Sequence, residues 1–147
     1  MNSSTSNVAP IEKALFTMHT HVVGGRHDGT GRSEDGHLDV KLAMPGSGKP
    51  GTNPEALFGV GWSACFLGAL GAVMGQRKMR MPPETAIDAE VTLGNIADGN
   101  YQIAVKMRID IPGLEMALKR ELVEAAHQVC PYSRATRGNI DIQFEIA

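Results

Sequence analysis

NPEALFGVGWSACFLGALGAVMG, residues 53–75, carries no charge from Ala56 to Gly75. Asn53 is a good helix cap and Pro54 suits the first helical position, so a helix is predicted to start here and run through the uncharged segment. The segment is long enough to cross a bilayer. We read it otherwise, because it is diluted with Ala and Gly and its neighbours alternate as the strands of a water-soluble domain do. A helix that is apolar all round is equally the buried axis of a globular protein. One domain of this size offers too little sheet to surround such an axis. A second copy of the chain is therefore expected to help cover it, with Gly68, Gly71 and Gly75 allowing close helix approach, and a homodimer is the economical arrangement.

On both sides of this helix the hydrophobic period is two. Leu38, Val40, Leu42 and Met44 alternate with Asp39 and Lys41, and Ile87, Ala89, Val91 and Leu93 alternate with Asp88, Glu90 and Thr92. Tyr101, Ile103, Val105, Met107 and Ile109 follow an Asp98-Gly99 turn, so residues 85–111 are predicted to form a hairpin. Ile140, Ile142, Phe144 and Ile146 give a last strand, and Ala14, Phe16, Met18, Thr20 and Val22 a weaker first one ending at Gly24-Gly25. Pro45–Asn53 is loop. Leu114, Leu118, Leu122, Ala125 and Val129 mark a second, amphipathic helix that stops before Pro131, leaving Cys130 at a helix exit. The pattern is α+β, a single domain over residues 1–147 with both helices packed on antiparallel strands.

Composition narrows the function. Fourteen Lys+Arg against sixteen Asp+Glu leave a formal charge of −2, without the basic excess that nucleic-acid binding needs. At 147 residues one core suffices for folding without disulfide staples. The polar start, Met1–Pro10, lacks the apolar run of a signal peptide, so a cytoplasmic protein with reduced thiols is expected, with no membrane partner. The two cysteines, Cys65 and Cys130, are too few for a zinc framework and form no C-x-x-C pair. They are either two inert buried thiols or a redox pair. On composition alone the inert reading is favoured, since free cysteine commonly behaves as a small buried hydrophobe.

Two motifs change that balance. GTNPEALF-x-x-GWSACF at 51–66 and VCPYSRATRGNIDI at 129–142, with EKALF at 12–16, GGR at 24–26 and LDVKL at 38–42, resemble the organic hydroperoxide resistance proteins of the Ohr/OsmC family over nearly the whole chain. The resemblance implies an OsmC-like fold, with antiparallel sheets packed around a long buried central helix in an intertwined homodimer. It also implies a cysteine-based peroxidase in which Cys65 is the peroxidatic thiol, Cys130 the resolving thiol, and Arg26 and Glu55 assist. No bound cofactor is implied. The reductant it suggests is an external dithiol, a dihydrolipoyl group of a lipoylated protein or lipoamide.

The chemistry of a buried thiol agrees with those roles. Thiolate, not thiol, attacks peroxide, and a few per cent of an ordinary cysteine is ionised at neutral pH. Burial lowers that fraction further, so a permanent cation is needed beside Cys65, and an arginine with a carboxylate partner fits. Glu55 lies ten residues before Cys65, roughly 15 Å along a helix, so direct contact requires the chain to bend. Arg32 is a rival source of charge, and His27 is one residue more than the family's loop usually holds. Trp62 replaces the tyrosine usual at its position. Phe58, Trp62, Phe66 and Leu67 are expected to wall a pocket, where an organic group gains about 25 cal/mol per Å² that hydrogen peroxide does not. Tyr132, Ser133 and Arg134 are candidates to fix Cys130. Two other readings are a binding module for a lipid-like ligand with passive cysteines, and a metal site using a cysteine with some of His19, His21, His27, His37 and His127.

Overall fold

The structure, a computed structural model, describes residues 8–147. They gather into two compact units, the first ending at Thr52 and the second running from Asn53 to Ala147.

In the first unit, β1 (Thr20–Val23), β2 (Thr30–Ser33) and β3 (Asp39–Lys41) form an antiparallel sheet in that order. One helical turn, α1 (Gly25–Asp28), joins β1 to β2. Gly24 and Gly25 take positive φ angles of 76° and 70°, which turn the chain at low cost only for glycine. A Cβ on Gly29 would collide with the carbonyl oxygens of Gly25 and Val23, so the end of the turn also requires glycine. The GGR segment is thus a turn of helix rather than open loop, and β2, hidden by its Gly31, is a strand that alternation does not reveal. The first strand begins at Thr20 instead of Ala14. Residues 14–19 have alternating apolar side chains but no ladder among the described residues, and a strand needs one. Lys49 pairs with Asp28 at 2.6 Å, and Thr52 bridges back to Leu42, which ties down the Pro45–Asn53 loop.

The second unit starts with α2 (Pro54–Gln76), capped as its sequence predicts: the Ala56 N–H donates to the Asn53 side chain at 2.8 Å, with Pro54 in the first turn. One face, Trp62, Phe66, Ala69, Leu70, Val73 and Met74, is buried. The opposite face, Ala56, Val60, Ala64, Gly68, Ala72 and Gly75, is exposed within the chain, and a Cβ on Gly68, Gly71 or Gly75 would meet nothing. The helix ends where Lys78 adopts a left-handed φ of 56°, while the N–H groups of Met79 and Lys78 donate to Met74 and Gly75.

Against the buried face lies a sheet of order β4 (Ala86–Asn95), β5 (Tyr101–Asp110), β6 (Asp141–Ile146). The hairpin is as predicted, with Ile87 opposite Ile109, Ala89 opposite Met107 and Val91 opposite Val105. The all-antiparallel expectation needs correction at its edge: β6 runs parallel to β5, setting Ile142, Phe144 and Ile146 beside Val105, Met107 and Ile109. Parallel neighbours require a crossover, and here it consists of α3 (Met116–Val129) and α4 (Pro131–Thr136). The rule that a helix ends before proline correctly stops α3, but Pro131 then opens α4, because proline is equally at home in a first helical turn. Lys119, a charged residue beside the apolar stripe of α3, is nonetheless 8% exposed and donates to the Ala147 carbonyl oxygen at 2.6 Å.

Candidate active site

Helical spacing puts Phe58, Gly61, Trp62 and Cys65 on one face of α2. The start of α4 packs on that face. Cys130, in extended backbone between α3 and α4, donates its S–H to the Cys65 sulfur at 3.3 Å, and both thiols are free. Its own N–H donates to Ala126 and its carbonyl accepts from Arg134, so each flanking helix holds it by the backbone. Cys130 is fully buried, whereas Cys65 is partly exposed.

Three further contacts seat α4 on α2. The Trp62 indole Nε1–H donates to Ser133 Oγ at 3.1 Å with both residues fully buried. The Phe58 ring meets Trp62 and Tyr132 edge-on, at centroid distances of 5.6 and 6.3 Å. Gly61 lies beneath the Tyr132 phenol, where a Cβ would stand 3.4 Å from the hydroxyl oxygen. At the far end of α4, Arg137 donates to the His127 carbonyl oxygen at 2.8 Å and closes the joint.

Electrostatics at the pair oppose ionisation. Burial pushes the Cys65 thiol above the ordinary cysteine value; the Tyr132 backbone N–H works against this, and Cys130 adds to the rise. That N–H is one of those left without an intrahelical partner in the first turn of α4. The site therefore needs further positive charge if Cys65 is to react as thiolate at neutral pH.

The structure brings together the two cysteines, Trp62, Phe58 and the Tyr132–Ser133 segment. Glu55 sits in the first turn of α2, which runs unbroken to Cys65, so the chain does not bend to bring the carboxylate onto the sulfur. Arg26 lies in α1 of the first unit, half-buried. Of the expected pocket walls, Phe58 and Leu67 are half-buried, whereas Trp62 and Phe66 are enclosed in the core, Phe66 against the Phe144 ring at 5.6 Å. Arg134 points outward, and Arg137 is the arginine that braces Cys130's joint. Sequence reasoning passed over Arg137 because α4, whose end it caps, went unseen. No three His, Cys, Asp or Glu side chains gather as a metal-ligand set among the described residues.

The sequence pattern of the OsmC-like protein family matches residues 46–145. The organic hydroperoxide resistance protein of Xanthomonas axonopodis pv. citri is 48% identical over 144 residues, covering 95% of this chain and 100% of the relative. The crystal structure of the organic hydroperoxide resistance protein OhrB of Bacillus subtilis superposes with a TM-score of 0.85 at 40% identity, covering 91% of this chain and 100% of that one. An organic hydroperoxide resistance protein from Elizabethkingia anophelis gives 0.83 at 39% identity, over 92% and 98%.

Proposed function

The chain belongs to the OsmC-like family and, within it, to the organic hydroperoxide resistance proteins, and from that membership we propose that it is a thiol peroxidase that reduces organic hydroperoxides in the response to oxidative stress. The observation that carries the reading is the 3.3 Å approach of two free thiols from distant parts of one chain. The Cys65 thiolate attacks the outer peroxide oxygen; the O–O bond breaks, the alkoxide leaves and takes a proton to become the alcohol, and Cys65 is left as sulfenic acid. The Cys130 thiol then displaces water, forming the Cys65–Cys130 disulfide before further oxidation of Cys65. Two electrons from an external dithiol, of the dihydrolipoyl kind carried by lipoylated proteins or lipoamide, restore both thiols.

Arg26 is assigned the cation that favours the Cys65 thiolate, and Glu55 the carboxylate that pairs with the arginine. Alkyl and fatty-acid hydroperoxides are the proposed substrates, and the cytoplasm is the proposed site of action. A second copy of the chain is proposed to cover the exposed apolar face of α2. Leu15 and Phe16, 83% and 82% exposed in the single chain, support this.

The test adds one equivalent of cumene hydroperoxide to reduced protein, follows alcohol release and maps the disulfide by peptide mass. The wild type is expected to release one equivalent of alcohol and yield a Cys65–Cys130 peptide. Undiminished peroxide consumption by Cys65→Ser overturns the catalytic assignment, and repeated turnover by Cys130→Ser without over-oxidation overturns the resolving one.

A further inference from the structure

Cys130, Tyr132 and Ser133 each touch residues of the 58–65 stretch, but the contacts differ in kind. The two sulfurs change their bonding during the proposed cycle, and the Phe58, Gly61 and Tyr132 contacts are apolar surfaces that can slide. Trp62 Nε1–H to Ser133 Oγ is a directional bond between side chains of α2 and α4, and it is fully buried. Both partners are enclosed by protein, so breaking the bond strands a donor and an acceptor together. Trp62 lies one helical turn before Cys65 and Ser133 three residues after Cys130, so the bond flanks the thiol pair on both chains of contact.

We propose that the Trp62–Ser133 hydrogen bond is a positioning latch that sets the register of α4 on α2 and so holds Cys130 within reach of Cys65. Neither residue touches the reacting oxygen; both act through the thiols. The inference rests on the peroxidase reading for its biological use, but the latch itself is a property of the thiol pair.

Its test therefore uses reagents that need no peroxidase activity. Trp62→Phe keeps a ring and removes the donor; Ser133→Ala removes the acceptor. Reduced protein is treated with diamide, and Cys65–Cys130 disulfide formation is timed by mass, while the pH profile of Cys65 alkylation by iodoacetamide is recorded in parallel. Either variant that keeps the native circular dichroism spectrum is expected to close the disulfide about ten- to a hundredfold more slowly, the upper end being what displacement of reacting groups by an ångström costs. Its alkylation profile should move away from that of the wild type, because the Tyr132 N–H and the Cys130 thiol, which act on Cys65 in opposite senses, both shift with α4. A merely structural loss would lower the unfolding midpoint without moving that profile. A measurement on the unaltered protein stands beside these: Trp62 is the sole tryptophan, so its indole N–H gives a single proton resonance, expected to resist exchange with solvent.

Wild-type disulfide rate and alkylation profile in the folded variants, or a rapidly exchanging indole proton, overturn the latch. Absence of cumene hydroperoxide consumption by the wild type overturns the peroxidase reading and leaves these measurements intact.

Discussion

The His127 imidazole stands edge-on to the Phe144 ring, their centroids 4.9 Å apart, with Nδ1 buried and finding no hydrogen-bond partner among the described residues. Burial first, and Arg137 second, hold its pKa below the ordinary histidine value, with Glu124 opposing them. An unfolded imidazole gains its proton as pH falls through about 6.5, while the folded one does so only at lower pH. Stability is thus lost on the acid side of that value. Replacing His127 by Gln should flatten the decline in urea midpoint between pH 7 and pH 5, and a variant as acid-sensitive as the wild type would refute the assignment.

Removing Arg26 tests the charge argument. If that guanidinium favours the Cys65 thiolate, Arg26→Ala should raise the midpoint of Cys65 alkylation by about one pH unit or more, the range expected for a close opposite charge. Arg32→Ala, changing the rival in β2, should leave it in place. The reverse pattern would move the role to Arg32.

Lys78 is the non-glycine residue at positive φ among the described residues. A left-handed backbone costs an L-residue about 1–2 kcal/mol, part of which glycine gives back through its freer unfolded state. Lys78→Gly should therefore stabilise the protein by roughly 0.5–1 kcal/mol in denaturant titrations, with no change in the alkylation profile of Cys65.

Ala64 lies midway along the exposed face of α2. If a second copy covers that face, Ala64→Glu would bury an unpaired carboxylate and should give monomers in sedimentation velocity at concentrations where the wild type dimerises. A variant that still sediments as a dimer would place the interface elsewhere.

Local signals made much of this fold legible. Asn53-Pro54 announced the start of α2, and the Asp98-Gly99 turn set the register of the hairpin, with the Asn100 N–H donating to the Asp98 carboxylate at 2.8 Å. The rest depended on distant contacts. Gly31 broke the alternation of β2, yet pairing to Val22 and Val40 makes it a strand. Cys130 read as the end of one helix and proved the joint of two. Trp62 reads as pocket lining because it keeps an aromatic ring where the family usually has tyrosine; what the sequence does not display is that its indole N–H finds Ser133, 71 residues on. Lys119 is buried because its ammonium group reaches a carbonyl beyond β6, which no helical wheel displays.

The parallel seating of β6 also orders the events of synthesis. A ribosome-bound chain that has emerged through Cys130 already holds the β4–β5 hairpin and both sulfurs. It still lacks the strand whose Phe144 packs on Phe66 and His127. Contacts between such distant segments form late. Both sulfurs and the helices that carry them thus precede, in order of synthesis, the strand that closes the core beneath α2 and α3.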